Sequence, residues 1–96
     1  MLTGEEILAF LRKQKPELEA RFSVRRIGLF GSVLHGCAGN ESDLDILVEL
    51  AQPTFDHHMD LKFFLEDQLG RSVDLVLADT LKPRLKPIIA RDVAYA

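Results

Sequence analysis

The run Ser42-Asp43-Leu44-Asp45-Ile46-Leu47-Val48 restricts the folds open to this chain more than any other segment. Side chains alternate along a β-strand. As a strand, the run sends Leu44, Ile46 and Val48 into a core and leaves Asp43 and Asp45 on the opposite face, separated by about 7 Å. A strand of this kind needs partners, and two further β-like runs supply them. Val24 to Phe30 ends at Gly31, and Ser72 to Ala78 carries Asp74 within Val73-Asp74-Leu75-Val76-Leu77.

Helical patterns surround these runs. Thr3 with Glu6 three residues later has the form of a capping box, and Ile7, Leu8, Leu11, Leu18 and Phe22 recur at helical spacing. Pro16 predicts a break near Lys15, so two helical pieces are expected before the first strand. His35 to Glu41 includes Gly36, Gly39 and Asn40 and reads as a loop. Pro53 closes the second strand, a helix is expected from Thr54 to Leu69, and Gly70 is placed to stop it. Leu81 to Ala90 reads as a short helix interrupted by Pro83 and Pro87. The fold class expected is α+β, a small mixed sheet with helices packed against it, as one domain over residues 1–96.

The helix at 54–69 has two apolar stripes. Leu61, Phe64, Leu65 and Leu69 form one, and Phe55, Met59 and Phe63 form the other. At about 100° per residue they point to nearly opposite sides. One stripe faces the sheet. The second needs another cover, either the terminal segments or another chain, a second copy of this one included.

Bulk properties exclude several classes. A formal net charge of −3 argues against direct nucleic-acid binding. A free nucleotide, which arrives with its own metal, remains compatible. The single cysteine, Cys37, rules out an internal disulfide and paired-thiol zinc sites. No apolar run approaches the roughly 18 residues of a membrane span, and the acidic start of the chain is unlike a signal peptide. A cytoplasmic protein is expected.

Two carboxylates on one face of a strand repel unless a cation lies between them. Oxygen ligands favour a hard ion, Mg²⁺ or Mn²⁺. If Asp74 lies on the neighbouring strand with the same facing, a third carboxylate joins the set. Three carboxylates can hold two ions about 3.5–4 Å apart, an arrangement suited to in-line displacement at phosphorus. Gly31-Ser32 suits the phosphates themselves. Glycine allows close backbone approach, and the turn N–H groups with the Ser32 hydroxyl can donate to phosphate oxygens. Each motif alone is weak, since Asp at a strand start also serves ordinary turn chemistry. Their combination, with ten residues separating Ser32 from Asp43, is stronger.

Gly-Ser, ten residues, then Asp-x-Asp resembles the signature of the nucleotidyltransferase superfamily that includes DNA polymerase beta. The runs "LFGS", "SDLDILVEL", "LGRSVDLVLAD" and "LKPRLKPIIARDVAYA" resemble those of its minimal nucleotidyltransferases, from about Ile7 to Tyr95. The resemblance implies a polymerase-beta-like fold. It also implies an antitoxin that transfers AMP from ATP to a tyrosine hydroxyl of a HEPN-domain ribonuclease toxin. By position it implies phosphate binding by Gly31 and Ser32 and metal binding by Asp43 and Asp45. Asp74 would complete the metal site and help activate the acceptor. Many members carry arginines after Gly-Ser, as "GSxARG"; this chain has Val33, Leu34 and His35 there. His35 is the residue left to meet a phosphate.

Other residues have plainer readings. His57 and His58 are neighbours on a helix, diverge by about 100° and are expected at the surface. Arg12, Lys13, Lys15, Arg25 and Arg26 are expected on solvated faces, and Tyr95 packed on the first helix. The rival to the enzyme is a non-catalytic antitoxin that neutralises its partner by complex formation alone. Transfer to a small molecule would need further structure to hold the acceptor.

Overall fold

The computed structural model describes residues 3–31, 43–52, 54–80, 84, 87, 91 and 93–96. Helix α1 (Gly4–Phe22) leads into β1 (Val24–Phe30); β2 (Leu44–Leu50), α2 (Phe55–Leu69) and β3 (Val73–Leu77) follow. A 3-10 turn, Ala78–Thr80, leaves β3, and a two-residue strand β4 (Ala94–Tyr95) ends the set. The four strands form one sheet in the order β3-β2-β1-β4. β2 and β3 are parallel, while β1 is antiparallel to both β2 and β4. The α+β mixed sheet expected from the sequence is the observed fold.

Both helices lie on one face of the sheet. Ile7, Leu11, Leu18 and Phe22 of α1 and Leu61, Leu65 and Leu69 of α2 share one buried cluster with Ile27, Leu29, Leu44, Ile46, Val48, Val73 and Leu75. Leu47 is also buried but stands outside that cluster, on the other face. Phe64 reaches α1, its ring centroid 5.5 Å from that of Phe22, and the Arg21 guanidinium lies 5.0 Å over Phe22 and 5.1 Å over Phe64.

The helix ends follow their sequence signals. Thr3 caps α1, accepting from the Glu6 amide while the Glu6 carboxylate accepts from the Thr3 amide, each at 3.2 Å. Gly70 stops α2 in the left-handed region at φ 67°. One expectation fails here. α1 is continuous, with Pro16 inside it, where two pieces were expected. Proline lacks the N–H that would bond the carbonyl of Arg12, but Leu11 and Leu18 are fully buried on either side of it. Their burial outweighs the one lost hydrogen bond and holds the turns in register.

The histidines also differ from expectation. His57 and His58 are half-buried, not surface residues. His57 donates from Nδ1 to the Gln52 carbonyl at 2.8 Å, and His58 donates from Nε2 to the Leu75 carbonyl at 3.0 Å. They tie the first turn of α2 to the end of β2 and to β3. Tyr95 pairs with Gly28 on β1 and lies under the Arg26 guanidinium, 4.0 Å from the ring centroid. Its neighbours Ala94 and Ala96 are the residues packed on the core. Arg26 is therefore an aromatic contact, and Lys15 donates to the Ala96 carbonyl at 3.3 Å. Most of the helix expected at 81–90 lies outside the described residues, as does Cys37.

Candidate active site

Asp43 sits immediately before β2 and is exposed; Asp45 is the second residue of β2 and half-buried. Asp74 is the second residue of β3 and exposed. The parallel pairing sets Leu44 opposite Val73 and Asp45 opposite Asp74. Strands pair about 4.8 Å apart, and residues in register point the same way. Leu44 and Val73 enter the helix-covered core, so Asp45 and Asp74 project from the other face, with Asp43 on the same side. The third carboxylate thus joins the first two through β-sheet register.

Gly31 reaches this group from the other neighbour. Phe30 is opposite Asp45 in the antiparallel β1–β2 pair, and Gly31 follows with φ 80°. A Cβ there would overlap Asp45 Oδ2, with the carboxyl carbon only 2.9 Å away. The Gly31 backbone therefore lies directly against the Asp45 carboxylate, an approach that an L-residue with a Cβ could not make. Ser32 and His35, the other two predicted phosphate contacts, lie outside the described residues.

Negative charge accumulates here. The Asp45 carboxyl is pushed above its ordinary pKa of 3.8, first by burial, then by the charge of Asp74 and that of Asp43. Among the described residues no salt bridge reaches any of the three. Nor, among the described residues, do three acidic, histidine or cysteine groups stand close enough to hold one ion as they are. The side chains must turn toward each other to share one. The donor set nonetheless fits a hard divalent cation: all-oxygen, anionic and on one face of the sheet.

Residues 11–95 match the nucleotidyltransferase domain family. The chain belongs to that family, and within it to the minimal nucleotidyltransferases. It is 44% identical over 96 residues to the protein adenylyltransferase MntA of Thermococcus cleftensis, covering 99% of this chain and 97% of that one. Among solved structures it superposes on a chain described as a candidate minimal nucleotidyltransferase with a TM-score of 0.74 at 37% identity, covering 91% and 93% of the two chains. A chain of a solved structure of a mutant MntA–HpeT toxin–antitoxin pair matches with a TM-score of 0.61 at 25% identity, covering 99% of this chain and 71% of that one.

Proposed function

We propose that this protein is a metal-dependent protein adenylyltransferase acting as an antitoxin, and that it moves AMP from ATP to a tyrosine hydroxyl of a HEPN-domain toxin. One observation carries the reading: Asp45 and Asp74 stand in register, with Asp43 on the same side and Gly31 against Asp45. The likeness to MntA supports a protein as the acceptor. On this reading residues 1–96 act as a single domain in the cytoplasm.

Asp43, Asp45 and Asp74 are the residues to hold two Mg²⁺, with Mn²⁺ as the alternative. Bound metal would offset the carboxylate charge, ease loss of the acceptor proton and stabilise the departing pyrophosphate. The chain itself supplies position and charge. Gly31 with Ser32 holds the triphosphate, and His35 donates to it where the family pattern "GSxARG" has arginine. The tyrosine oxygen bonds to the α-phosphorus as the bond from that phosphorus to the bridging oxygen breaks. Pyrophosphate leaves opposite the incoming oxygen. The phenolic proton passes to the Asp74 carboxylate, an exposed acceptor in register with Asp45.

Intact-mass spectrometry of the HEPN-domain protein encoded with this chain, after incubation with this chain, ATP and Mg²⁺, tests the proposal. A gain of one or more AMP units, absent with Asp43→Asn/Asp45→Asn, is the expected result. A stable complex with either version and no mass gain would instead establish neutralisation by binding alone.

A further inference from the structure

Phe55 is 75% exposed and Phe63 57% exposed, and half-buried Met59 lies between them on the same face of α2. Phe55 and Phe63 are the large exposed hydrophobic residues among those described, and with Met59 they fall on one helix at i, i+4 and i+8. The opposite stripe, Leu61, Leu65 and Leu69, faces the sheet as expected. Anchors at this spacing over about 12 Å are the pattern of a helix that lies in another protein's groove.

The charges beside the stripe say what kind of groove. Asp56, Asp60 and Asp67 are exposed and, at 100° per residue, fall within about 60° of Phe63 along one flank. The only basic residue of α2, Lys62, is half-buried, and the two histidines are turned to backbone carbonyls. Two antiparallel copies of this chain meeting face to face would oppose aspartate to aspartate, which disfavours that self-association. A partner edged with lysine or arginine would match it.

We propose that the Phe55–Met59–Phe63 face of α2, flanked by Asp56, Asp60 and Asp67, is the docking surface for the acceptor protein, which presents an apolar groove bordered by basic side chains. This rests on the protein-acceptor reading above. It also places the acceptor usefully. Glu66, in the last turn but one of α2, accepts from the Val73 amide at 2.9 Å, so that end of the helix adjoins the strand residue next to Asp74. The carboxylates lie on the face of the sheet opposite α2, and β3 is the edge strand, so a protein seated along α2 reaches them around that edge, at the end where Glu66 meets Val73.

The test compares wild type, Phe55→Ser/Phe63→Ser, Asp56→Lys/Asp60→Lys and Asp43→Asn/Asp45→Asn. All are full chains, with folding checked by circular dichroism. Affinity for the HEPN-domain protein encoded with this chain is read by titration calorimetry, and AMP transfer to it by intact mass. The phenylalanine variant should lose at least about 30-fold in affinity, as truncation of interface anchors does. Its transfer should fail through a raised KM and recover at high acceptor concentration. The lysine variant should weaken binding and reverse its salt dependence, with no apolar side chain touched. Unchanged affinity in both folded variants would overturn the docking surface while leaving the adenylyltransferase reading intact. A wild-type dimer in light scattering that the phenylalanine variant abolishes would assign the face to a second copy instead. Wild type that neither binds nor modifies the HEPN-domain protein would remove the functional reading, and this proposal with it.

Discussion

Asp45 and Asp74 are register partners across the parallel β2–β3 pair, so two carboxylates that lie 29 residues apart in the chain stand on adjacent strands facing the same way. With Asp43 beside them, the arrangement costs stability so long as no cation is bound.

That cost gives a prediction with a definite sign. The Asp45 carboxyl has a raised pKa in the folded chain, so the folded state binds its proton more readily than the unfolded state does. The penalty is present above the folded pKa and fades as pH falls through it toward the ordinary carboxylate value of 3.8. Asp45→Asn should therefore raise the melting temperature of the metal-free protein at pH 7. The gain should shrink as pH falls through that window. The same variant should lose AMP transfer by on the order of 10²-fold or more, as loss of a central electrostatic group does. Thermal melts from pH 3.5 to 8 check the first part; equal melting temperatures at neutral pH would contradict it.

Gly31→Ala meets two obstacles at once. The backbone sits at φ 80°, and the added methyl would overlap the Asp45 carboxylate. The left-handed conformation alone costs about 1–2 kcal/mol for an L-residue, or very roughly 4–16 °C in melting temperature for a domain of this size. Displacing Asp45 should also depress transfer. A variant as stable and as active as wild type would show that Gly31 does not press on the carboxylate.

Pro16→Ala should stabilise the protein. The residue is exposed and within α1, where the substitution restores a backbone hydrogen bond and gives a residue better suited to a helix interior by up to about 3 kcal/mol. Part of that gain is offset because alanine frees the unfolded chain. Urea denaturation reads the difference. A loss of stability would mean that the proline bends α1 onto the sheet.

The two stripes of α2 should respond differently to truncation. Leu65 is fully buried, and Leu65→Ala should cost about 2–5 kcal/mol. Phe63→Ser, on the exposed stripe, should stay within about 0.5 kcal/mol of wild type in the isolated protein, as surface changes do. Denaturation midpoints of the two variants make the comparison. A large loss from Phe63→Ser would mean that the stripe is packed against this chain itself.

Local sequence signals carried much of this protein. The capping box at Thr3 and Glu6, the stop at Gly70, three strands and the two faces of the 44–50 run are written in neighbouring residues. They depend on interactions within a few positions or on the period of the side chains. That Asp43 and Asp45 share a face required only the two-residue repeat of a strand. Their meeting with Asp74 required the parallel pairing of β2 with β3, which no local pattern specifies. Other features also needed the assembled fold. Val24 and Ile27, three apart, both enter the core because a register shift near Arg25 turns the strand between them. Pro16 stays helical because buried leucines on both sides hold it. The edge strand Ala94–Tyr95 is two residues long, too short for any periodicity, and fits only because Gly28 lacks a Cβ that would meet the Ala94 carbonyl at 2.8 Å. The sequence by itself determined which residues are polar, apolar or able to turn. Tertiary structure decided which of them meet, because pairing register and helix placement minimise the free energy of the whole core rather than of any one segment.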